Sequence, residues 1–140
     1  MYRPGLRRRN RPGPRPLDVA RAQGLFNLVG GLWPLLSLRT FEQVYGRKAD
    51  GWLQKTSGAL LASAGLGMLL ADPGPEGLRH ARRTGVGTAL TFLAIDLVYV
   101  PRRRIPATYL MDAAKEAAWL AAWWKASPAC RKRGAGGRRT

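Results

Sequence analysis

The chain alternates four apolar stretches with segments that are rich in arginine. The four stretches cover residues 22–38, 52–71, 84–100 and 105–124. The first has no charged residue, and the third has only Asp96. A bilayer core requires about 20 helical residues, and even a helix of about 17 residues covers roughly 25 Å. The pattern therefore predicts an all-α fold, an antiparallel bundle of four transmembrane helices.

Proline and capping residues predict where these helices begin and end. Pro73 and Pro75 end the second helix, and Pro101 ends the third, because proline has no backbone donor. The connection after Pro101 is so short that the third and fourth helices must be antiparallel neighbours. Residues 40–50 match a capping box at Thr40, which predicts a short helix on the membrane surface, with an ordinary polar loop as the alternative.

The chain is strongly basic, and the position of the charges indicates its partner. Lys and Arg number 24 against 8 Asp and Glu, which gives a formal net charge of +16. Many of these cations lie in two tails, residues 1–20 and 126–140, which we expect to be disordered and cytoplasmic around a membrane domain at residues 21–125. The tails have no aromatic residue beyond Tyr2, which argues against nucleic acid. The predicted partner of the tails is the anionic headgroups of the bacterial inner membrane.

Residue types that support catalysis or metal binding are scarce. Cys130 is the single cysteine and His80 the single histidine, so neither a disulfide, a metal site nor a Ser-His pair can be assembled from them. We therefore expect no catalytic, cofactor-binding or metal-binding residues, and a protein that is not an enzyme.

The most distinctive chemistry is charge within the apolar stretches. At 100° per residue, Asp112, Lys115 and Glu116 share one helical face, and Asp96 lies at a similar depth on the neighbouring helix. We predict that these four residues form an acid–lysine cluster in which Lys115 bridges the two aspartates. Three further residues are expected beside it: Tyr99 on the face of Asp96, and Arg39 and Glu42 at its mouth.

Small and aromatic residues predict how the helices pack and where they end. On the second helix, Ala59, Ser63 and Gly67 follow the small-xxx-small spacing of close helix contacts. On the first helix, Asn27 lies on a face of small residues. Trp123 and Trp124 fit an aromatic belt at the inner membrane interface.

Several segments resemble a group of small uncharacterised four-helix membrane proteins of bacteria. The resemblance covers roughly residues 21–124 and rests on residues 33–42, 46–53 and 96–100, with Ile105, Tyr109, Leu110, Asp112 and Glu116. It implies an integral inner-membrane protein, implies no particular activity, and directs attention to the two aspartates and the loop after the first helix.

These observations predict a non-enzymatic binding, assembly or transport-accessory protein of the inner membrane, with lipid and either a second copy or a membrane protein as partners. One alternative is a proton- or ion-coupled subunit of a small-solute transporter. The other is a soluble basic helical protein that binds nucleic acid, which would show salt-dependent binding.

Overall fold

The computed structural model describes residues 13–47 and 49–127, and this part of the chain is entirely helical and loop, without a strand. Its five helices are α1 (Pro16–Leu36), α2 (Leu38–Tyr45), α3 (Gly51–Leu69), α4 (Pro75–Tyr99) and α5 (Tyr109–Ala126). The predicted all-α fold is confirmed. The tails predicted to be disordered lie mostly outside the described residues, but residues 16–20 belong to α1 rather than to a tail.

Local chemistry explains most of the helix ends. Pro16 and Pro75 each occupy the first turn of a helix, where the missing N–H is not needed. Ser37 separates α1 from α2, and its side chain accepts a hydrogen bond from the Thr40 backbone N–H at 3.4 Å. The predicted cap at Thr40 is therefore displaced to Ser37. Gly46 ends α2 with φ of 80°, a conformation that favours glycine.

Helices α1 and α3 pack with their backbones in direct contact. Gly24 and Gly31 of α1 face Gly58 and Gly65 of α3, and a Cβ atom added at Gly65 would lie 2.5 Å from the Leu28 amide nitrogen. Such spacing leaves no room for a side chain. The contact face of α3 is thus built on glycines, and the predicted face of Ala59, Ser63 and Gly67 is wrong, because Ser63 and Gly67 are exposed.

The larger core side chains lie where α1, α3, α4 and α5 meet. The main core cluster consists of Val19, Ala20, Met68, Ala81, Trp123 and Ala126. Trp123 is only 2% exposed, so its predicted place in an interfacial aromatic belt is wrong. Helices α4 and α5 pack on each other, as the short connection between them predicts.

The predicted membrane spans are not supported. None of the helices within residues 13–47 and 49–127 combines the length and the apolar character that crossing a bilayer requires. The expected multi-pass location in the bacterial inner membrane is therefore wrong, and so is the four-transmembrane-helix bundle.

The physical reason is that absence of charge is not the same as hydrophobicity. The uncharged part of α3 is rich in Gly, Ala, Ser and Thr, and α1 contains Gln23, Asn27 and Pro34. Small and polar side chains contribute little apolar surface, so a stretch without charges can still have a modest hydropathy.

Candidate functional site

The acid–lysine cluster forms where α2, α4 and α5 meet. Asp112, Lys115 and Glu116 follow i, i+3, i+4 spacing on α5 and so share one face, as the sequence predicts. Asp96 is presented by the last turn of α4. The structure thus brings together the four residues predicted to form the cluster, and it adds Tyr45 from the end of α2.

Lys115 is the cation at the centre of the cluster. Its ammonium nitrogen lies 2.8 Å from Oδ1 of Asp112 and donates a hydrogen bond to the Tyr45 hydroxyl at 3.2 Å. The same ammonium lies 5.2 Å from the centre of the Phe26 ring and 5.9 Å from that of Tyr45, which is within cation–π range. Burial opposes the charge of Lys115, but Asp112 and Tyr45 outweigh it and raise the Lys115 pKa above its ordinary value.

Asp96 is the most deeply buried carboxyl group of the cluster. The residue is 1% exposed, and its Oδ2 atom has no hydrogen-bond partner among the described residues. Burial first, and then the negative charge of Asp112, raise the pKa of Asp96 to about 6, with Lys115 acting in the opposite direction. Among the described residues, Lys115 forms an ion pair with Asp112 and not with Asp96, so the predicted bridge between the two aspartates is wrong.

Glu116 is a second buried acid with a raised pKa. The residue is 4% exposed and lies on the same face of α5 as Asp112. Burial and the charge of Asp112 raise the Glu116 pKa to about 7, again against the effect of Lys115. The cluster thus combines one ion pair, Asp112 with Lys115, with two buried carboxyl groups, Asp96 and Glu116, whose pKa values are raised.

The three residues predicted at the edge of the cluster have less defined roles. Arg39 is exposed on α2, and Tyr99 is 40% exposed at the end of α4. Glu42 is partly buried and has an interaction partner. No described contact places Arg39 or Tyr99 against the carboxyl groups of the cluster.

An aromatic cluster lies beside the acids, and the sequence interpretation missed it. Tyr45 stacks on Phe41 with 4.8 Å between ring centres and meets Tyr109 at 5.0 Å, while Trp33 packs edge-on against Phe41 at 5.6 Å. Burial, followed by the charge of Asp112, raises the Tyr109 pKa above its ordinary value. The available signal was the i, i+4 spacing of Phe41 and Tyr45 within the short helix predicted over residues 40–50.

A second buried polar contact joins three helices through the hydrogen bonds of one glutamine and has a structural role. Gln23 of α1 accepts a hydrogen bond from Nε1 of Trp123 at 2.7 Å and donates one from Nε2 to the Gly85 carbonyl at 2.9 Å. Gln23 is completely buried. Both halves of its amide are used, so this contact fixes the positions of α1, α4 and α5 without a free polar atom for a ligand.

Metal binding is not indicated by the arrangement of the described residues. Within residues 13–47 and 49–127, no three His, Cys, Asp or Glu residues are grouped so that they could hold a metal ion.

Comparison with known proteins adds no family to this picture. No family model, curated protein or solved structure matches the chain. The resemblance to small four-helix bacterial proteins therefore stays a prediction from the residues alone.

Proposed function

We propose that the chain is a non-enzymatic binding and assembly protein that associates with a second copy of itself through the outer face of α1. The observation that carries this proposal is a stripe of exposed apolar side chains on that helix. Its members are Leu25, Val29, Leu32 and Leu36, which are 37–82% exposed. Large apolar side chains left open in a continuous row are typical of a surface that another molecule covers.

The spacing of this α1 stripe favours another helix as the covering element. Its residues follow one another by 4, 3 and 4 positions, which is the a/d spacing of helices that pack side by side. A two-fold interface uses the same patch on both subunits, so a stripe of Leu and Val can cover its own copy.

Charge also favours contact between copies at α1. The chain has a formal net charge of +16, so two copies repel each other wherever their cations meet. No charged residue lies between Arg21 and Arg39, and the α1 stripe falls within this segment. On α4, by contrast, exposed Arg82 and Arg83 would face their own copies. The α1 stripe therefore allows close approach without placing like charges together.

The acid–lysine cluster supports this function as a structural element. The ammonium of Lys115 is shared between Asp112 and Tyr45, which ties α5 to α2. Because these groups satisfy one another inside the bundle, we infer that the cluster sets the position of the helices rather than acting on a substrate.

Cysteine crosslinking tests the proposed association. In a Cys130→Ser background, Val29→Cys places a thiol in the middle of the α1 stripe, and mild oxidation is expected to yield a disulfide-linked dimer. Leu90→Cys on α4 is the matched control, because Leu90 and Val29 are 51% and 60% exposed. Equal crosslinking of the two variants would show only random collision and would refute the proposal.

A charged substitution tests the same surface by equilibrium measurement. Val29→Glu would bury an unpaired carboxylate between two copies, so the dimer dissociation constant is expected to rise at least roughly tenfold. Analytical ultracentrifugation of the wild type, Val29→Glu and Leu90→Glu measures this directly. A dimer that tolerates Val29→Glu as well as Leu90→Glu does not use the α1 stripe.

Proton-coupled binding is a second candidate, favoured by the unpartnered Oδ2 atom of buried Asp96. In this case association would take up or release protons between pH 5 and 8, the range in which Asp96 and Glu116 titrate. Dimer dissociation constants measured across this range for the wild type, Asp96→Asn and Glu116→Gln distinguish the two candidates. A dissociation constant with the same pH dependence in all three proteins excludes proton coupling through these acids.

A further inference from the structure

A groove of about 480 Å³ lies at the loop between α4 and α5, and the proposed function does not use it. Its lining consists of Val100, Arg103, Arg104, Ile105, Pro106 and Ala107. Two arginines thus stand beside four apolar residues. A volume of several hundred cubic ångströms is in the range of sites that hold small molecules.

The backbone of this loop holds Arg103 in a conformation that favours glycine. The Arg104 N–H donates to the Tyr99 carbonyl at 3.0 Å, and the Arg103 N–H donates to the Val100 carbonyl at 2.9 Å. These two bonds form a Schellman motif, the common C-terminal cap of a helix, in which the left-handed residue is usually glycine. Here that residue is Arg103, with φ of 55°.

An arginine at this position needs an explanation beyond the cap itself. A left-handed conformation is unfavourable for a residue with a Cβ, so glycine would give a more stable turn. The guanidinium could interact with the negative end of the α4 dipole, but neighbouring Arg102 and Arg104 already supply that charge. Backbone strain at a groove is typical of a site where the side chain contacts a ligand.

The described residues do not neutralise the charge of the groove. Within the described part of the chain, neither Arg103 nor Arg104 forms an ion pair with a carboxylate. Paired guanidinium groups are well suited to the oxygens of a phosphate, which they contact through two parallel hydrogen bonds. The apolar part of the lining would accept a hydrocarbon substituent.

We propose that the groove between α4 and α5 binds the phosphate group of an amphiphilic phosphate ester. The guanidinium groups of Arg103 and Arg104 contact the phosphate oxygens, and Val100, Ile105 and Pro106 contact the hydrocarbon part. Exposed apolar side chains follow directly in both helices, Tyr99 at the end of α4 and Leu110 at the start of α5, and extend the apolar surface. The same chemistry is offered by a phospholipid headgroup and by a small phosphate ester in solution.

Arg103→Gly is the decisive variant, because it removes the guanidinium and provides the residue that the turn favours. The fold is therefore expected to be retained or stabilised, and loss of binding cannot be ascribed to unfolding. Arg102→Gln is the matched control, since it removes one charge from the same loop at a residue that does not line the groove. Thermal unfolding of both variants checks that they are folded.

Two binding arms identify the source of the phosphate. The first is sedimentation of the full chain with vesicles of phosphatidylcholine alone or of equimolar phosphatidylcholine and phosphatidic acid. The second is calorimetric titration with short-chain phosphatidic acid below its micelle-forming concentration, with inorganic phosphate for comparison. Loss of one charge-assisted bidentate contact is expected to weaken binding of Arg103→Gly roughly tenfold relative to Arg102→Gln.

The outcomes separate cleanly because both variants have the same net charge. A selective loss in the vesicle arm alone supports a lipid headgroup, and a selective loss with the short-chain ester supports a ligand in solution. Equal binding of Arg103→Gly and Arg102→Gln in both arms would show that the groove is not specific for phosphate and would overturn the proposal. So would a failure of the protein to bind phosphatidic acid either in vesicles or as the short-chain lipid. This result does not depend on whether two copies associate through the α1 stripe.

Discussion

The contact between α1 and α3 gives a strong test of the fold, since one of two adjacent glycines lies inside it. Gly31 faces α3: a Cβ added there would meet the Gly58 carbonyl oxygen and would lie 2.5 Å from the Ala62 amide nitrogen. A Cβ added at Gly30 would have no atom within 4 Å. We therefore predict that Gly31→Ala destabilises the protein and that Gly30→Ala stabilises it.

The expected magnitudes follow from the geometry. Both substitutions replace glycine by alanine within a helix, which stabilises the folded state by about 1 kcal/mol. At Gly31 the atoms in the way belong to the backbone of α3 and cannot rotate aside, so overpacking costs about 3 kcal/mol, the upper end of the usual range. The net effect at Gly31 is then about 2 kcal/mol of destabilisation, and the two variants differ by about 3 kcal/mol.

Urea unfolding followed by circular dichroism measures this difference. With a denaturant slope of about 2 kcal/mol per molar urea, the midpoints of Gly31→Ala and Gly30→Ala should differ by about 1.5 M. Gly65→Ala and Gly67→Ala repeat the comparison on α3, because a Cβ at Gly67 also meets nothing within 4 Å. Should Gly31→Ala unfold at the same urea concentration as Gly30→Ala, the described packing of α1 on α3 would be wrong.

Three further predictions concern the buried polar groups. Burial raises the Asp96 pKa from 3.8 to about 6, so Asp96 ionises in the unfolded state before it does in the folded state. The free energy of unfolding should therefore fall by at most about 3 kcal/mol as the pH rises between these values. Urea unfolding of Asp96→Asn should lack this decline, and a pH profile equal to that of the wild type would contradict the prediction. Glu116→Gln should likewise remove a decline between pH 4.5 and about 7, again measured by urea unfolding. Trp123→Phe should lower the free energy of unfolding by about 1–3 kcal/mol, because it leaves the buried oxygen of Gln23 without its donor. Trp124→Phe, at an exposed position, should have little effect on the thermal midpoint. Equal midpoints of the two variants would show that the Trp123 hydrogen bond does not contribute.

Helix positions followed from local features of the sequence. Pro73, which follows α3, and Pro101, which follows α4, predicted helix ends that agree with the structure, whereas Pro75, predicted to help end the second helix, instead begins α4. The shared face of Asp112, Lys115 and Glu116 followed from the helical repeat alone. These features depend on bonds and angles within a few residues, so they can be worked out without knowledge of the rest of the chain.

The environment of the helices was harder to predict from the sequence. Stretches without charge suggested lipid, but the helices that contain them hold many small and polar residues and fall short of a membrane span. The long charged start of α4 shows the same difficulty: the apolar pattern begins this helix at residue 84, yet residues 75–83 extend it by more than two turns. Local charge counts do not measure how much apolar surface a helix presents.

The residues alone establish that the chain is helical, roughly where its helices lie, and which acids share a face with Lys115. Packing between helices established the rest: α3 turns Gly58 and Gly65 toward α1, Lys115 pairs with Asp112 while Oδ2 of Asp96 has no partner among the described residues, and Tyr45 completes the cluster. The physical reason is that several faces of each helix carry small or polar residues. Which of them becomes the contact face depends on the shape and charge of a neighbour distant in the chain.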